Sequence, residues 1–550
     1  MPFKKRLDMW SLVTFCLLIG YGLFLIYPLF NLFSQAIRDK DTGAFTLAYF
    51  IKFFGKPYYL NTLLNSFKVT FLVTFFSIVI ATPLAYLFTR YNIAGKRVLR
   101  ILIILSSMSA PFIGAYSWIL LLGRGGVITH FFKSVLGVTI PTIYGFSGIL
   151  LVLTMQLYPL IFLYISGALK NVDNSLLEAS ENLGCRGVKR FFVVIIPLII
   201  PTLLAGGLLV FMRALADFGT PMLIGEGYRT FPVTIFNEFI SELGGDDGFA
   251  AAISIIAIVI TILVFLIQRH FASQKAFTMT SINKIRPIDA FGLKKIGIHL
   301  YAYVLIGLSI MPQIYIFYTS FKNTNGTVFV PGYSFQSYIN AFNKVGNAIQ
   351  NTMIIPGVSL VFIVVLAVLL AYISVRRSGS LTRIIDTVSM VPYIVPGSVM
   401  GITLLIAFNK PPMILSGTMT IMVIALVLRR LPYTIRSSAA ILQQIPMNIE
   451  EASLSLGTSK LKTFYKITMP MMAAGIVSGA ILSWITMISE LSSAILLYTG
   501  RTKTLTIEIY TQIIRGNYGI AAALSSLLAF LTILSLLIFS KISKGDDLSM

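Results

Sequence analysis

The sequence predicts an all-α, polytopic membrane protein with about 12 transmembrane helices in two parallel six-helix repeats. Three observations carry this expectation. The 550-residue chain is 56% hydrophobic and only 11% charged, where soluble domains carry roughly 25% charged residues. Its apolar residues gather into runs of about 20, long enough to cross a hydrocarbon core as helices. A polar motif also recurs half a chain apart. Glu178-Ala-Ser-Glu-Asn-Leu-Gly184 returns as Glu451-Ala-Ser-Leu-Ser-Leu-Gly457, displaced by 273 residues, and each copy has a proline thirteen residues past its glycine, at Pro197 and Pro470.

The apolar runs lie near 10–33, 65–88, 99–122, 146–168, 193–216, 250–268, 296–319, 352–374, 383–407, 418–438, 467–489 and 519–540. Pro111, Pro392, Pro396, Pro411, Pro412 and Pro432 interrupt or flank the third, ninth and tenth. No small-residue cleavage site follows the first run, which therefore reads as a retained helix and not as a signal peptide.

The formal net charge is +23, and its distribution reports orientation. Lys4, Lys5 and Arg6 place the N-terminus in the cytoplasm. Twelve crossings then put these groups inside: Arg90/Lys96/Arg97/Arg100, Lys170/Arg186/Lys189/Arg190, Arg269/Lys275/Lys284/Arg286, Arg376/Arg377/Arg383, Lys460/Lys462/Lys466 and Lys541/Lys544. The acidic Glu242, Asp246 and Asp247 fall outside. Both termini are expected in the cytoplasm of a multi-pass protein of a bacterial cell membrane, with anionic lipid headgroups as neighbours. No basic, aromatic-interleaved soluble domain supports a nucleic-acid partner. Cys16 and Cys185 are too far apart in this topology to form a disulfide framework. His130, His270 and His299 lack metal-ligand spacing, so no metal site is expected.

The repeat extends beyond the motif. Asn65 and Asn351, Leu84-Ala-Tyr86 and Leu370-Ala-Tyr372, and Arg90 and Arg376 all pair at an offset of 286. Six crossings per copy is an even number, so both copies enter from the same side and the repeat is parallel. The expected organisation is a first part over 1–268, a cytoplasmic linker over 269–295 and a second part over 296–550. The two motif loops occupy 173–197 and 446–470.

Each motif encodes a short independent helix. Ser175 followed by Glu178 has the capping-box spacing. Asn448 is a good N-cap residue, with Glu451 three places later. Acidic residues in a first turn complement the helix dipole. Gly184 and Gly457 stand where a left-handed residue ends a helix. Helices this short are marginal in water, so packing must support them. Ala179 and Leu183, and equally Ala452 and Leu456, lie four apart on one face and suit a partner's groove.

The pattern Glu-Ala-(Ala/Ser)-x-x-x-Gly, followed by an apolar stretch ending in Pro, resembles the coupling-loop motif of ABC-importer permeases of the type I class. Both copies here carry Ser at the third place, Ser180 and Ser453, where many members have Ala. The resemblance covers nearly the whole chain. It implies that Glu178, Ala179, Leu183, Gly184, Glu451, Ala452, Leu456 and Gly457 couple to two ATPase subunits, and that an extracytoplasmic binding protein delivers the solute. Ala216-Asp217-Phe-Gly-Thr-Pro221, Ser489-Glu490-Leu-Ser-Ser493 and Thr504-Leu-Thr-Ile-Glu-Ile-Tyr510 are similar to the ferric-iron branch. Thiamine, polyamine and aminoethylphosphonate permeases are close relatives of that branch.

The chain has no Gly-x-x-x-x-Gly-Lys-Ser/Thr loop and no nucleophile–base constellation. It is therefore expected not to be an enzyme and to bind no cofactor, with ATP and Mg used by the partner ATPase. Charged groups at membrane depth are functional candidates. Asp217 and Glu490 share the 273-residue offset and could line the substrate pathway, where two carboxylates suit a cationic or metal-bearing cargo. Alternatively they cap helix ends or pair with Arg213. Arg429 and Arg430 read as the interfacial end of the tenth run, and Met469, Met471 and Met472 as packing. A twelve-helix secondary transporter would share the parallel repeat but would not need the paired cytoplasmic helices.

Overall fold

The computed structural model describes residues 9–40, 42–108, 110–240, 247–274, 283, 285, 287–377 and 379–542. Lys4, Lys5, Arg6, Glu242, Asp246, Lys544 and, from the expected linker, residues 275–282, Lys284 and Arg286 lie outside these residues.

Every apolar run folds as helix. The first part contains α1 (Met9–Ala36), α2 (Pro57–Arg90), α3 (Phe146–Lys170), α4 (Asn174–Asn182), α5 (Gly187–Leu215), α6 (Phe231–Ile240) and α7 (Asp247–Gln274). The second contains α8 (Gly292–Thr319), α9 (Ala348–Arg376), α10 (Ser380–Ile394), α11 (Gly397–Phe408), α12 (Met419–Gln444), α13 (Asn448–Ser455), α14 (Lys460–Met471), α15 (Ala473–Ile488), α16 (Leu505–Ile514) and α17 (Tyr518–Ile542).

Twelve unbroken spans are not what forms. Among the described residues nine helices are long and apolar enough to cross a membrane, and up to eleven if two bent pairs each count as one span. The ninth run bends by 110° between α10 and α11, and the eleventh by 67° between α14 and α15. The third run splits into Lys96–Met108 and Pro111–Leu122. Proline explains the first and last of these breaks: Pro396 and Pro111 cannot donate a helical hydrogen bond and disfavour helical geometry in the residue before them. The tenth run, α12, is 26 residues long, and it is the charge of Arg429, Arg430 and Arg436 that sets it apart.

The repeat is visible in the packing. α2, α3 and α5 pack mutually, and α9, α12 and α15 do the same. Pro159 in α3 and Pro432 in α12 are equivalent at the 273-residue offset. Small residues let the helices of each trio approach closely. Gly206 of α5 lies against Ile161 and Tyr164, while the equivalent Gly479 of α15 lies against Thr434 and Ser437. The Asn pair is equivalent in detail. Asn65 Nδ2 donates to Arg229 O at 3.1 Å, and Asn351 Nδ2 donates to Arg501 O and Lys503 O at 2.9 Å. The next residue repeats the correspondence: Ser66 Oγ accepts Phe231 N–H at 2.7 Å, and Thr352 Oγ1 accepts Leu505 N–H at 2.8 Å. Each bond ties the start of α2 or α9 to the loop or helix start before α6 or α16.

The two parts interlock. Trp10, at the start of α1, packs on Tyr372 in a tilted contact and on Phe464 edge-to-face, with ring centroids 4.4 and 5.0 Å away. In the opposite sense, Tyr301 of α8 donates to Ile80 O of α2 at 2.8 Å. The leading helix of each part therefore packs on the other part.

One two-stranded hairpin is present among the described residues. β1 (Lys322–Asn325) pairs antiparallel with β2 (Val328–Tyr333). Gly326 sits at φ +60°, and the Asn325-Gly326 step supplies the positive φ that tight hairpin turns favour.

Candidate functional site

The start of α1 lies by α13, through Trp10 against Tyr372 and Phe464, and the end of α2 lies by α4, through Tyr86 against Phe191. With one crossing by α1 and one by α2 between these points, α4 and α13 fall on a common side of the protein. Their starts differ from expectation. α4 begins at Asn174, capped by Asp173, whose carboxylate accepts Ser175 N–H at 2.9 Å. Ser175 is thus already helical and cannot be the cap. Glu178 Oε1 accepts from Asn174 Nδ2 at 2.6 Å instead of closing a capping box. In α13 the preceding residue is Met447, in helical conformation and without a side-chain cap, so Asn448 lies inside the first turn.

The ends are as the glycines suggest. Gly184 and Gly457 adopt φ +77° and +82°. Cys185 N–H then reaches back to Ser180 O at 2.8 Å, and Thr458 N–H to Ser453 O at 3.2 Å. This is the Schellman pattern, which needs a left-handed residue. Leu183 and Leu456 are each 87% exposed, and Glu178, Ala179, Glu451 and Ala452 are exposed beside them. Leu177 and Ser180, and likewise Glu450 and Ser453, face inward and are buried.

The two helices are anchored by different chemistry. Glu450 is buried and accepts from Arg376 Nε at 2.8 Å and from Tyr372 OH at 3.0 Å, and Arg376 also donates to Ile445 O at 2.8 Å. The equivalent of Glu450 is Leu177, and the equivalent of Arg376 is Arg90, whose buried Nε has no hydrogen-bond partner among the described residues. α4 is held through Asp173 and Asn174 to Asn283, at 3.1 and 2.8 Å, and through Glu181 to Arg190 at 3.1 Å. Beyond each glycine the chain makes a single π-helical turn, Phe191–Ile195 and Phe464–Thr468. Tyr86 packs against Phe191 at 5.2 Å in a tilted contact, and Tyr372 meets Phe464 edge-to-face at 4.9 Å. Each motif helix is thereby tied to the end of a membrane helix.

The far ends of α5 and α15 carry the candidate pathway acids, and the two differ. Asp217 accepts Thr220 N–H at 3.0 Å as a local cap. It makes no ion pair with Arg213 among the described residues, so that alternative is not realised. Glu490 is buried between two guanidinium groups, Arg429 at 2.5 Å and Arg430 in closer contact. It also accepts Ser493 N–H at 3.1 Å. Arg429 and Arg430 therefore do not merely mark the end of a span; they compensate a buried carboxylate across α12 and α15. Their equivalents in α3 are Gln156 and Leu157, which leaves Asp217 without such partners. No group of three or more His, Cys, Asp or Glu side chains able to hold a metal occurs among the described residues.

A family described as the binding-protein-dependent transport system inner membrane component matches residues 3–276 and 363–544. The chain belongs to this family. It is a permease of binding-protein-dependent ABC import and not a catalyst, and its setting is the inner membrane. It is similar to the ferric transport system permease protein FbpB of Actinobacillus pleuropneumoniae, 28% identical over 96% of this chain and 77% of that protein. The Fe(3+)-transport system permease protein FbpB 2 of Haemophilus influenzae is 26% identical over 92% of this chain and 93% of its own length. The molybdenum transport system permease protein ModB of Escherichia coli is 30% identical over 38% of this chain and 93% of its own length.

Proposed function

We propose that this permease moves ferric iron, delivered by an extracytoplasmic binding protein, into the cytoplasm by alternating access driven by ATP in a separate ATPase. Two ATPase subunits dock, one on α4 and one on α13, and they alone use ATP and Mg. Their closure brings the two helices together and opens the cavity outward; hydrolysis resets it inward. The parts 1–268 and 296–550 act as the two halves of this machine, and both termini face the cytoplasm with the motif helices.

The observation that carries this reading is the pair of exposed leucines, Leu183 and Leu456, each presented by a glycine-terminated helix on the same side. A large apolar side chain held out of a well-packed body, twice and in equivalent places, fits a groove on a repeated partner. The iron assignment rests on the ferric permeases that align with nearly the full chain.

The test is uptake of radioactive iron into proteoliposomes holding this permease, its ATPase and an iron-loaded binding protein. ATP-dependent accumulation supports the reading. Accumulation driven by an ion gradient without the ATPase would instead establish a secondary transporter.

A further inference from the structure

Arg429 and Arg430 share one carboxylate, Glu490, so this group retains one positive charge. Arg430 Nε is buried with no hydrogen-bond partner among the described residues. Arg213, arriving from α5, adds a second cation that makes no ion pair among the described residues. Two phenols, Tyr393 and Tyr433, lie on the Arg430 side of this group. The Tyr393 and Tyr433 rings are 5.6 Å apart, and the Arg430 guanidinium lies 6.0 Å from the Tyr433 ring. Tyr433 is within Coulombic reach of Arg213, Arg429 and Arg430, and Tyr393 of Arg213, Arg430 and Tyr164. Both parts of the chain contribute, α3 and α5 from the first, α10 and α12 from the second. All five polar side chains, Arg213, Tyr393, Arg429, Arg430 and Tyr433, are half-buried.

The arrangement is built in one copy only. A Cβ on Gly397 would come within 2.8 Å of Arg429 Nη1 and 2.6 Å of Ser492 Cβ. Gly397 at the 110° bend therefore makes room for the guanidinium. In the first part the contact is exchanged: Phe112 fills the space against Gly219, which is the equivalent of Ser492, and Gln156 replaces Arg429.

Cations at membrane depth are costly unless compensated. Two uncompensated guanidinium charges with phenolic O–H donors beside them complement an oxygen-rich anion, and guanidinium is the side chain best suited to carboxylates and oxyanions. The same cluster would repel a bare cation. We propose that Arg213, Arg430, Tyr393 and Tyr433 form a binding site for a carboxylate or oxyanion group of the cargo, so that iron crosses as an anionic complex and not as a naked ion. The iron clause rests on the function proposed above; the anion site does not.

The experiment measures equilibrium binding of radioactive ferric citrate to the detergent-solubilised full chain, with citrate and inorganic phosphate as competitors. Saturable binding is expected. Arg213→Gln should weaken it about tenfold or more, since a hydrogen bond to a charged group contributes about 1.5–3 kcal/mol. Arg213→Lys should recover part of the loss, and Tyr433→Phe gives a milder variant. Monodisperse elution of each variant confirms that it is folded. Competition by citrate or phosphate assigns the site to simple oxyanions, and binding of the chelate alone assigns it to the metal complex; both support the site. No saturable binding, or binding unchanged in folded Arg213→Gln, would overturn it. If the chain imports iron with ATP and binds the chelate independently of Arg213, only the anion site falls. If Arg213-dependent binding occurs without ATP-driven uptake, only the importer reading falls.

Discussion

Arg376 donates through Nε to Glu450 at 2.8 Å, with side-chain exposures of 8% and 4%. This buried pair joins the end of α9 to the inner face of α13. The motif helix is thus tied to a membrane helix through a charge-assisted bond. Removing one partner of such a pair leaves the other charge uncompensated, at a cost of about 3–5 kcal/mol. Glu450→Ala should lower the melting temperature of the purified chain markedly. Glu450→Leu combined with Arg376→Met should be milder than either single change, because removing both members leaves no uncompensated buried charge.

Leu183→Ser and Leu456→Ser should leave the melting temperature of the isolated chain nearly unchanged. Both side chains are 87% exposed, and surface substitutions cost within about 0.5 kcal/mol. Co-purification of the ATPase should fall with each change and vanish with both. Retained association would show that these leucines do not face the partner.

Gly184→Ala and Gly457→Ala meet no atom within 4 Å, so their cost is purely conformational. A left-handed residue with a Cβ costs about 1–2 kcal/mol. Asn at either position should be tolerated better than Ala. Melting temperature and stimulation of ATP hydrolysis across the series Gly, Asn, Ala would check this order.

Gly479→Ala and Gly206→Ala are equivalent in sequence but not in space. A Cβ at Gly479 would lie 2.6 Å from Thr434 Cα, a backbone atom, whereas at Gly206 the nearest atom is 3.4 Å away. Overpacking costs about 1–3 kcal/mol, so Gly479→Ala should lower thermal stability and Gly206→Ala should do so much less. Equal effects would argue against the close crossing of α12 and α15.

The polytopic helical fold was legible because its signal is local: each apolar run is contiguous, and every run folds as helix. The motif helices were legible at their ends, where Gly184 and Gly457 have one stereochemical use. Their starts were not, because Asp173 and Ser175 are both competent caps two residues apart and the carboxylate took the role. Arg429 and Arg430 each had an adequate local explanation. Their pairing with Glu490 spans some 60 residues, and only tertiary structure shows it. Two opposite charges in neighbouring apolar runs were the available signal, since isolated charges at that depth are rare. The break of α10 from α11 was signalled by Pro396, but its 110° angle was not.

ATP hydrolysis by the assembled transporter, with loaded binding protein, in the double variant Glu178→Ala, Glu451→Ala tests coupling through the motif helices. Both glutamates are exposed on the motif helices, so the chain should fold and insert normally. The variant should lose stimulated hydrolysis and no longer retain the ATPase. Hydrolysis and retention at the level of the unmodified permease would contradict it.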